Sequence, residues 1–122
     1  MPEEVLRPER QGDVTILSLG PRYEALNEPV MQNTRELLLK LAVEVDPPKL
    51  LFDFRNTRYF DSMMVELLFR VWNRISRRKG QFAFCNLQEF PSKVIRTARL
   101  DTLWGIYPSR EDALDAMMEK KE

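Results

Sequence analysis

The stretch from residue 50 to residue 69, LLFDFRNTRYFDSMMVELLF, changes its hydrophobic pattern partway along. It opens with a nearly continuous apolar run, which is typical of a buried strand in a parallel sheet. It closes with apolar residues at helical spacing, which predict an amphipathic helix. Between them lie an acid and a hydroxyl, Asp61 and Ser62. The stretch therefore predicts a strand, a loop and a helix, with this pair where the helix starts.

The alternation of strands and helices continues outward in both directions. Turn residues separate the segments: Gly20-Pro21 ends one predicted strand, and Pro47-Pro48 ends the first predicted helix. The order β-β-α-β-α-β-α-β-α predicts an α/β sandwich with a central, mostly parallel mixed sheet of about five strands and about four helices. We expect strands near 5–6 and at 14–19, 49–54, 81–86 and 103–107, and helices from about 27 to 46, 62 to 79, 92 to 98 and from 109 onward.

Composition predicts one soluble domain over residues 1–122. Hydrophobic residues make up 43% of the chain and charged residues 31%, as in ordinary globular proteins. Because Lys plus Arg and Asp plus Glu both number 19, no overall field favours nucleic acid or an anionic membrane. No apolar run approaches the length of a membrane span.

The absence of histidine and the single cysteine, Cys85, exclude several chemistries. A Ser-His-Asp or Cys-His nucleophile is impossible, and so is a zinc site that needs histidine. No glycine-rich phosphate-binding motif occurs. A lone cysteine without a visible signal peptide fits a reducing compartment, so we expect a cytoplasmic protein. We therefore predict no catalytic residues, no metal and no cofactor.

Two interpretations of Ser62 remain open at this stage. Serine and aspartate are both favoured helix N-caps, so Asp61-Ser62 suits a purely structural cap. Alternatively, the hydroxyl is exposed at a helix start, where unpaired N–H groups and the helix dipole would stabilise an added phosphate. A phosphoserine there would carry a charge of about −1.5 to −2 at a partner surface, and the adjacent Asp61 and nearby Asp53 would repel it, which is how a binding switch can be made.

Asp53 lies within an otherwise apolar strand and needs partners if it is buried. We expect backbone N–H groups of the 55–61 loop, or the side chains of Arg55 or Arg58, to supply them. The alternative is a phosphate-accepting aspartate, as in response-regulator receivers. That alternative fails because the predicted strand at 14–19 is followed by Gly-Pro-Arg-Tyr, without an acid pair.

The helix predicted from residue 62 carries a wide apolar band. Val65, Leu68, Trp72 and Ile75 share a face and predict its buried side, which Met64, Leu67 and Val71 widen. Some of three residues near Ser62 are candidates for an exposed, adaptable protein contact: Met63, Met64 and Leu67. The basic residues at the far end indicate a solvated face and a complement to the helix dipole, not a nucleic-acid site; they are Arg70, Arg74, Arg77, Arg78 and Lys79.

Residues 50–80 resemble the STAS domain, the fold of anti-sigma factor antagonists. Its pattern is an apolar strand ending in Asp, a short loop, Asp-Ser(-Ser)-Gly opening a long helix, and a Gly before the next apolar strand. Here these parts are Asp53, Asp61-Ser62 and Gly80, followed by FAFCN. The segment Arg99-Leu100-Asp101 is similar to the family's "Gly-Leu-Asp", and the resemblance covers nearly the whole chain.

The resemblance implies a non-enzymatic binding module that acts in transcription regulation. In anti-sigma factor antagonists the unphosphorylated protein binds a serine kinase that also holds a sigma factor, and phosphorylation of the serine abolishes binding. Carried over by position, the phosphorylation site is Ser62, and the partner-binding residues are Asp53, Asp61, Ser62, Met63 and Met64. Met63 and Met64 replace the family's Ser and Gly, and Arg99 replaces its later Gly. The alternative is a STAS-fold subunit with a fixed protein partner and no phosphorylation, for example in a signalling or lipid-transport assembly.

Overall fold

A computed structural model describes residues 6–19, 28–58 and 62–118, and the order of its elements is the predicted one. A single-turn 3₁₀ helix at Leu100–Thr102 precedes the last strand. The strands are β1 (Leu6–Gln11), β2 (Val14–Leu19), β3 (Lys49–Asp53), β4 (Gln81–Cys85) and β5 (Gly105–Tyr107). The helices are α1 (Glu28–Glu44), α2 (Ser62–Arg77), α3 (Glu89–Thr97) and α4 (Arg110–Met118).

The strands form one sheet in the order β1-β2-β3-β4-β5, so β3 is central. A turn at Gly12 joins β1 to β2 as an antiparallel hairpin, and every other pairing is parallel. The carboxyl ends of β2, β3 and β4 therefore meet at one edge of the sheet, where Asp53 lies opposite Ser18 and Cys85. The predicted mixed, mostly parallel α/β sandwich is confirmed.

The sheet separates two apolar cores because successive side chains of a strand point to opposite faces. Phe52 packs in the core under α1, α2 and α3, where it stacks on Phe54 and meets Phe84 edge to face. Leu51 packs in the other core, against α4. Phe52 and Phe54 therefore share one face of the sheet, whereas Leu51 and Asp53 lie on the α4 side.

The buried face of α2 is centred differently from the prediction. Val65 and Trp72 are only partly buried, whereas Met64, Leu67 and Val71 are fully buried. The face turns toward α1, which packs along α2, and it leaves Val65 beside a groove between α2 and α3. A wide apolar band predicts that a helix is buried, but it does not predict which of the apolar residues face the core.

The predicted boundaries shift where backbone geometry was not visible in the sequence. Lys79, not Gly80, adopts the left-handed conformation that ends α2, and the amide of Gly80 donates to the Ile75 carbonyl oxygen at 3.0 Å. Gly80 is required for a different reason, because a Cβ there would collide with the Pro48 carbonyl oxygen. The third helix begins at Glu89, three residues before the predicted start.

The end of α3 turns at Arg99, which has a positive φ of 62°. This is the position at which the STAS pattern has glycine, and the left-handed conformation explains that preference. An arginine in this conformation is strained by its Cβ. The turn leads into the 3₁₀ helix and places Leu100 and Trp104 in the core, so β5 is limited to residues 105–107.

We expect Arg99→Gly to raise the free energy of unfolding by about 1 kcal/mol, because glycine relieves the left-handed strain. Arg96→Gly is the matched control, since Arg96 is another exposed arginine but lies within α3. That change should lower stability by about 1 kcal/mol. Urea unfolding followed by circular dichroism measures both, and a loss of stability in both variants would contradict the assignment of strain.

Candidate functional site

The carboxyl edge of the sheet gathers a polar cluster around Asp53, which is only 3% exposed. Its Oδ1 accepts the Arg55 backbone N–H at 3.1 Å and the Asn86 side-chain amide at 3.0 Å. Its Oδ2 accepts Nε and Nη2 of Arg110 at 3.2 and 3.0 Å. The carboxylate is thus held by a loop amide, by the residue after β4 and by the first residue of α4.

Arg110 extends this cluster across the sheet to the first two strands. Its guanidinium also donates to the Ser18 hydroxyl at 3.1 Å and to the Glu9 carboxylate at 3.0 Å. Burial alone would lower the pKa of Arg110, but the hydrogen bonds that it donates to Asp53 and Glu9 outweigh burial and raise that pKa. The arginine therefore stays charged and ties α4 to β1, β2 and β3.

The loop after β3 is anchored by its own backbone. The Phe54 amide donates to the Cys85 carbonyl oxygen at 3.1 Å, and the Thr57 amide donates to the Phe54 carbonyl oxygen at 3.0 Å. The Gln88 side chain donates to the Arg55 carbonyl oxygen. These contacts hold residues 54–57 in place after β3.

Cys85 lies next to this cluster and is inert. It is fully buried, and burial, followed by the negative charge of Asp53, raises the pKa of the thiol to about 12. The thiol is therefore neutral at physiological pH and is a poor nucleophile. Cys85 is a small core residue.

Ser62 is the first residue of α2, and its side chain is exposed. The N-cap position is consequently residue 61, and Asp61 lies outside the described residues, so its predicted role stays a prediction. Within the described chain, the Ser62 hydroxyl has no hydrogen-bond partner. No residue in the first turn of α2 itself is acidic, and Ser62 lies at the positive end of the helix dipole. An exposed hydroxyl at such a position is accessible to a modifying enzyme.

The remaining predicted contact residues divide into exposed and buried ones. Met63 is 43% exposed beside Ser62, whereas Met64 is fully buried in the core under α2. The prediction that the side chain of Met64 contacts a partner directly is therefore wrong, because this side chain points into the protein. The same correction applies to Asp53, whose carboxylate is turned inward and held by Arg110.

The sequence interpretation named Arg55 among the partners of Asp53 but missed Asn86 and Arg110. The Arg55 amide is a partner, and its guanidinium lies at 3.8 Å, in a weaker ion pair. A signal for Arg110 was present, because a cation at a helix N-terminus is disfavoured by the dipole and implies a specific partner. Asn86 has a φ of 59°, a conformation that asparagine tolerates better than most residues.

We expect Arg110→Met to lower the free energy of unfolding by about 2–3 kcal/mol, because the buried Asp53 charge loses its main partner. Glu9→Gln is the control. It removes the exposed ion pair of the same guanidinium and should cost less than about 0.5 kcal/mol. Adding Asp53→Asn to Arg110→Met should recover part of the loss, since the unpaired charge is gone. Equal effects of Arg110→Met and Glu9→Gln in urea unfolding would contradict this assignment.

Restoring the family glycine should damage this protein. We expect Met64→Gly to lower the free energy of unfolding by about 4 kcal/mol, from the lost core side chain and the lower helix propensity. The exposed neighbour provides the comparison, and Met63→Ser should change stability by less than about 1 kcal/mol. Thermal and urea unfolding measure both. A stability of Met64→Gly close to wild type would mean that Met64 does not support the helix start.

The comparisons with known proteins agree with this geometry. The family model described as STAS domain matches residues 8–113. An anti-sigma-factor antagonist (STAS) domain protein from Planctomyces limnophilus has a similar structure, with a TM-score of 0.86 and 28% identity over 93% of this chain and 98% of its own.

Two more distant structures show the fold alone. An anti-sigma factor antagonist from Mycobacterium paratuberculosis has a TM-score of 0.77 and 20% identity over 93% of both chains. The Bacillus cell fate determinant SpoIIAA in its phosphorylated form has a TM-score of 0.71 and 16% identity, over 91% of this chain and 97% of its own. No curated protein sequence matches the chain. Within the described residues, no helix has the length and apolar character to cross a membrane. The family match over residues 8–113, most of the chain, places this protein in the STAS domain family.

Proposed function

We propose that this STAS domain is a non-enzymatic protein-binding module, similar to the anti-sigma factor antagonists, that is switched by phosphorylation of Ser62. The observation that carries the proposal is the position of Ser62: an exposed hydroxyl, without a hydrogen-bond partner among the described residues, at the first residue of α2, directly after the loop that follows the central strand. The partner is a serine kinase of the anti-sigma type, and the compartment is the cytoplasm. No cofactor takes part.

The electrostatics of the helix start favour a phosphate on Ser62. The N–H groups of the first turn and the positive dipole end of α2 stabilise negative charge there. A phosphoserine adds a charge of about −1.5 to −2 to a surface that is otherwise a neutral hydroxyl beside an apolar methionine. A partner that binds the neutral surface would then meet a strongly solvated dianion, and binding would be lost.

The Asp53 cluster contributes to this function indirectly. Asp53 and Arg110 hold the carboxyl edge of the sheet, and backbone hydrogen bonds hold residues 54–57 in place after β3. The proposed contact surface therefore comprises Ser62 and Met63, with Asp61 assigned from the sequence.

The second candidate function is a fixed protein contact without phosphorylation. The exposed methionine next to Ser62 favours it, because Met63 replaces a polar family residue with a flexible apolar side chain that packs well in a permanent interface. In that case the Ser62 hydroxyl is a passive part of the contact.

We expect Ser62→Glu to weaken capture of the kinase more than tenfold in a quantitative pull-down from native lysate. The carboxylate at the contact surface would repel the partner or would lose its hydration against it. Wild type and Ser62→Ala should retain the partner. The matched control is Ser76→Glu, an exposed serine near the other end of α2, about 20 Å away along the helix.

The same lysate supplies the direct test of modification. Incubation with ATP should place phosphate on the peptide that contains Ser62 in wild type and on no equivalent peptide in Ser62→Ala, as read by mass spectrometry. Retention of one partner at equal levels by wild type and Ser62→Glu, with no phosphate on Ser62, would reject the switch and favour the fixed contact.

A further inference from the structure

An open groove of about 600 Å³ runs between α2 and α3, beginning at Ser62. Its floor and walls are almost entirely apolar, although it lies on the surface. Glu66, one of its few polar side chains, is paired with Arg70 at 3.3 Å. The residues that define the groove are Ser62, Val65, Phe69, Val94, Ala98 and Leu100.

Phe69 makes this groove an attractive contact surface. The ring is 41% exposed, and it is held on one side by the indole of Trp72, with the ring centroids 5.2 Å apart. An aromatic ring that is positioned by a neighbour yet open to solvent loses little conformational entropy when a partner covers it. Exposed apolar surface in a concave site marks binding positions more often than isolated apolar residues do.

The segment of the chain that contains the groove is basic. Residues 62–104, which contain α2 and α3, hold eight Lys and Arg and three Asp and Glu, a net charge of +5 in a neutral chain. Arg99 is exposed between the groove residues Ala98 and Leu100, and Arg70 follows Phe69 directly. An occupant that carries carboxylates beside its apolar anchor therefore matches the groove by charge as well as by shape.

We infer that the groove binds an amphipathic helix of the protein partner, with a large apolar residue against Phe69 and acidic residues toward Arg70 and Arg99. The inference rests on the proposed function and names the chemistry of its partner. A channel between two helices suits a third helix that lays its apolar face into it. The groove is also continuous with the proposed contact surface, because Ser62 belongs to both.

This placement gives the switch a direct mechanism. A phosphate on Ser62 would stand at the mouth of the groove, facing the carboxylates of the bound helix. The phosphate and these carboxylates repel each other, because a partly apolar surface screens like charges less than water does. Release of the partner then requires no change in the fold of this domain.

The test places the photoreactive analogue p-benzoylphenylalanine at Phe69, in the full chain, and cross-links it in native lysate. The matched control carries the same analogue at Leu37, an exposed apolar residue of α1. Mass spectrometry identifies the cross-linked peptide, and each probe is repeated with Ser62→Glu. A Phe69→Ala bait in the pull-down, checked for folding by circular dichroism, measures the loss of the same protein.

We expect the Phe69 probe alone to cross-link an acidic segment with apolar residues at helical spacing, the cross-link to vanish with Ser62→Glu, and Phe69→Ala to lose the partner more than tenfold. A cross-link that survives Ser62→Glu would keep the groove and reject the switch. A partner that Ser62→Glu loses but Phe69→Ala retains would keep the switch and overturn the groove. The groove proposal would also be overturned if the peptide cross-linked to the Phe69 probe were basic or non-helical, or if the Phe69 probe gave no cross-link beyond that of the Leu37 control. Binding to phosphatidylglycerol vesicles that depends on Phe69 would overturn it as well.

Discussion

The buried carboxylate of Asp53 is the constraint on which the geometry of the site depends. A charge that is almost wholly removed from water is tolerated only when several donors surround it. Here those donors come from the loop after β3, from Asn86 after β4 and from Arg110 at the start of α4. Because Arg110 also reaches Ser18 and Glu9, one carboxylate aligns the ends of four strands and one helix.

That constraint divides the molecule into a structural side and a contact side. The Asp53 cluster lies on the α4 side of the sheet. Its polar groups bind one another, so few of them are left to bind a partner. The opposite face presents the start of α2 and the groove next to α3, where Ser62 and Phe69 are open to solvent. The Asp53 cluster therefore supports the proposed contact surface through the loop after β3, but the cluster is not part of that surface.

The fold was predictable from the sequence because its signals are local. The two-residue alternation in β3 assigned Phe52 and Leu51 to opposite cores, and the apolar band after Ser62 identified a core helix. The partners of Asp53 were not predictable in full, since Arg110 lies 57 residues away and no periodic pattern encodes such a pairing. The sequence also did not predict which side of α2 faces the core. Val65 and Met64 are both apolar, and only the packing of α1 and α3 determines which of them is buried.

The two departures from the STAS pattern at the start of α2 act on different sides of the helix. Met64 takes the place of glycine on the inner side and fills the core. Met63 takes the place of serine on the outer side and alters what a partner touches. Neither covers Ser62, which keeps its exposure and its place at the positive end of the helix dipole. The substitutions therefore change how the helix start is supported and which partner fits it, while the hydroxyl remains accessible to the same chemistry.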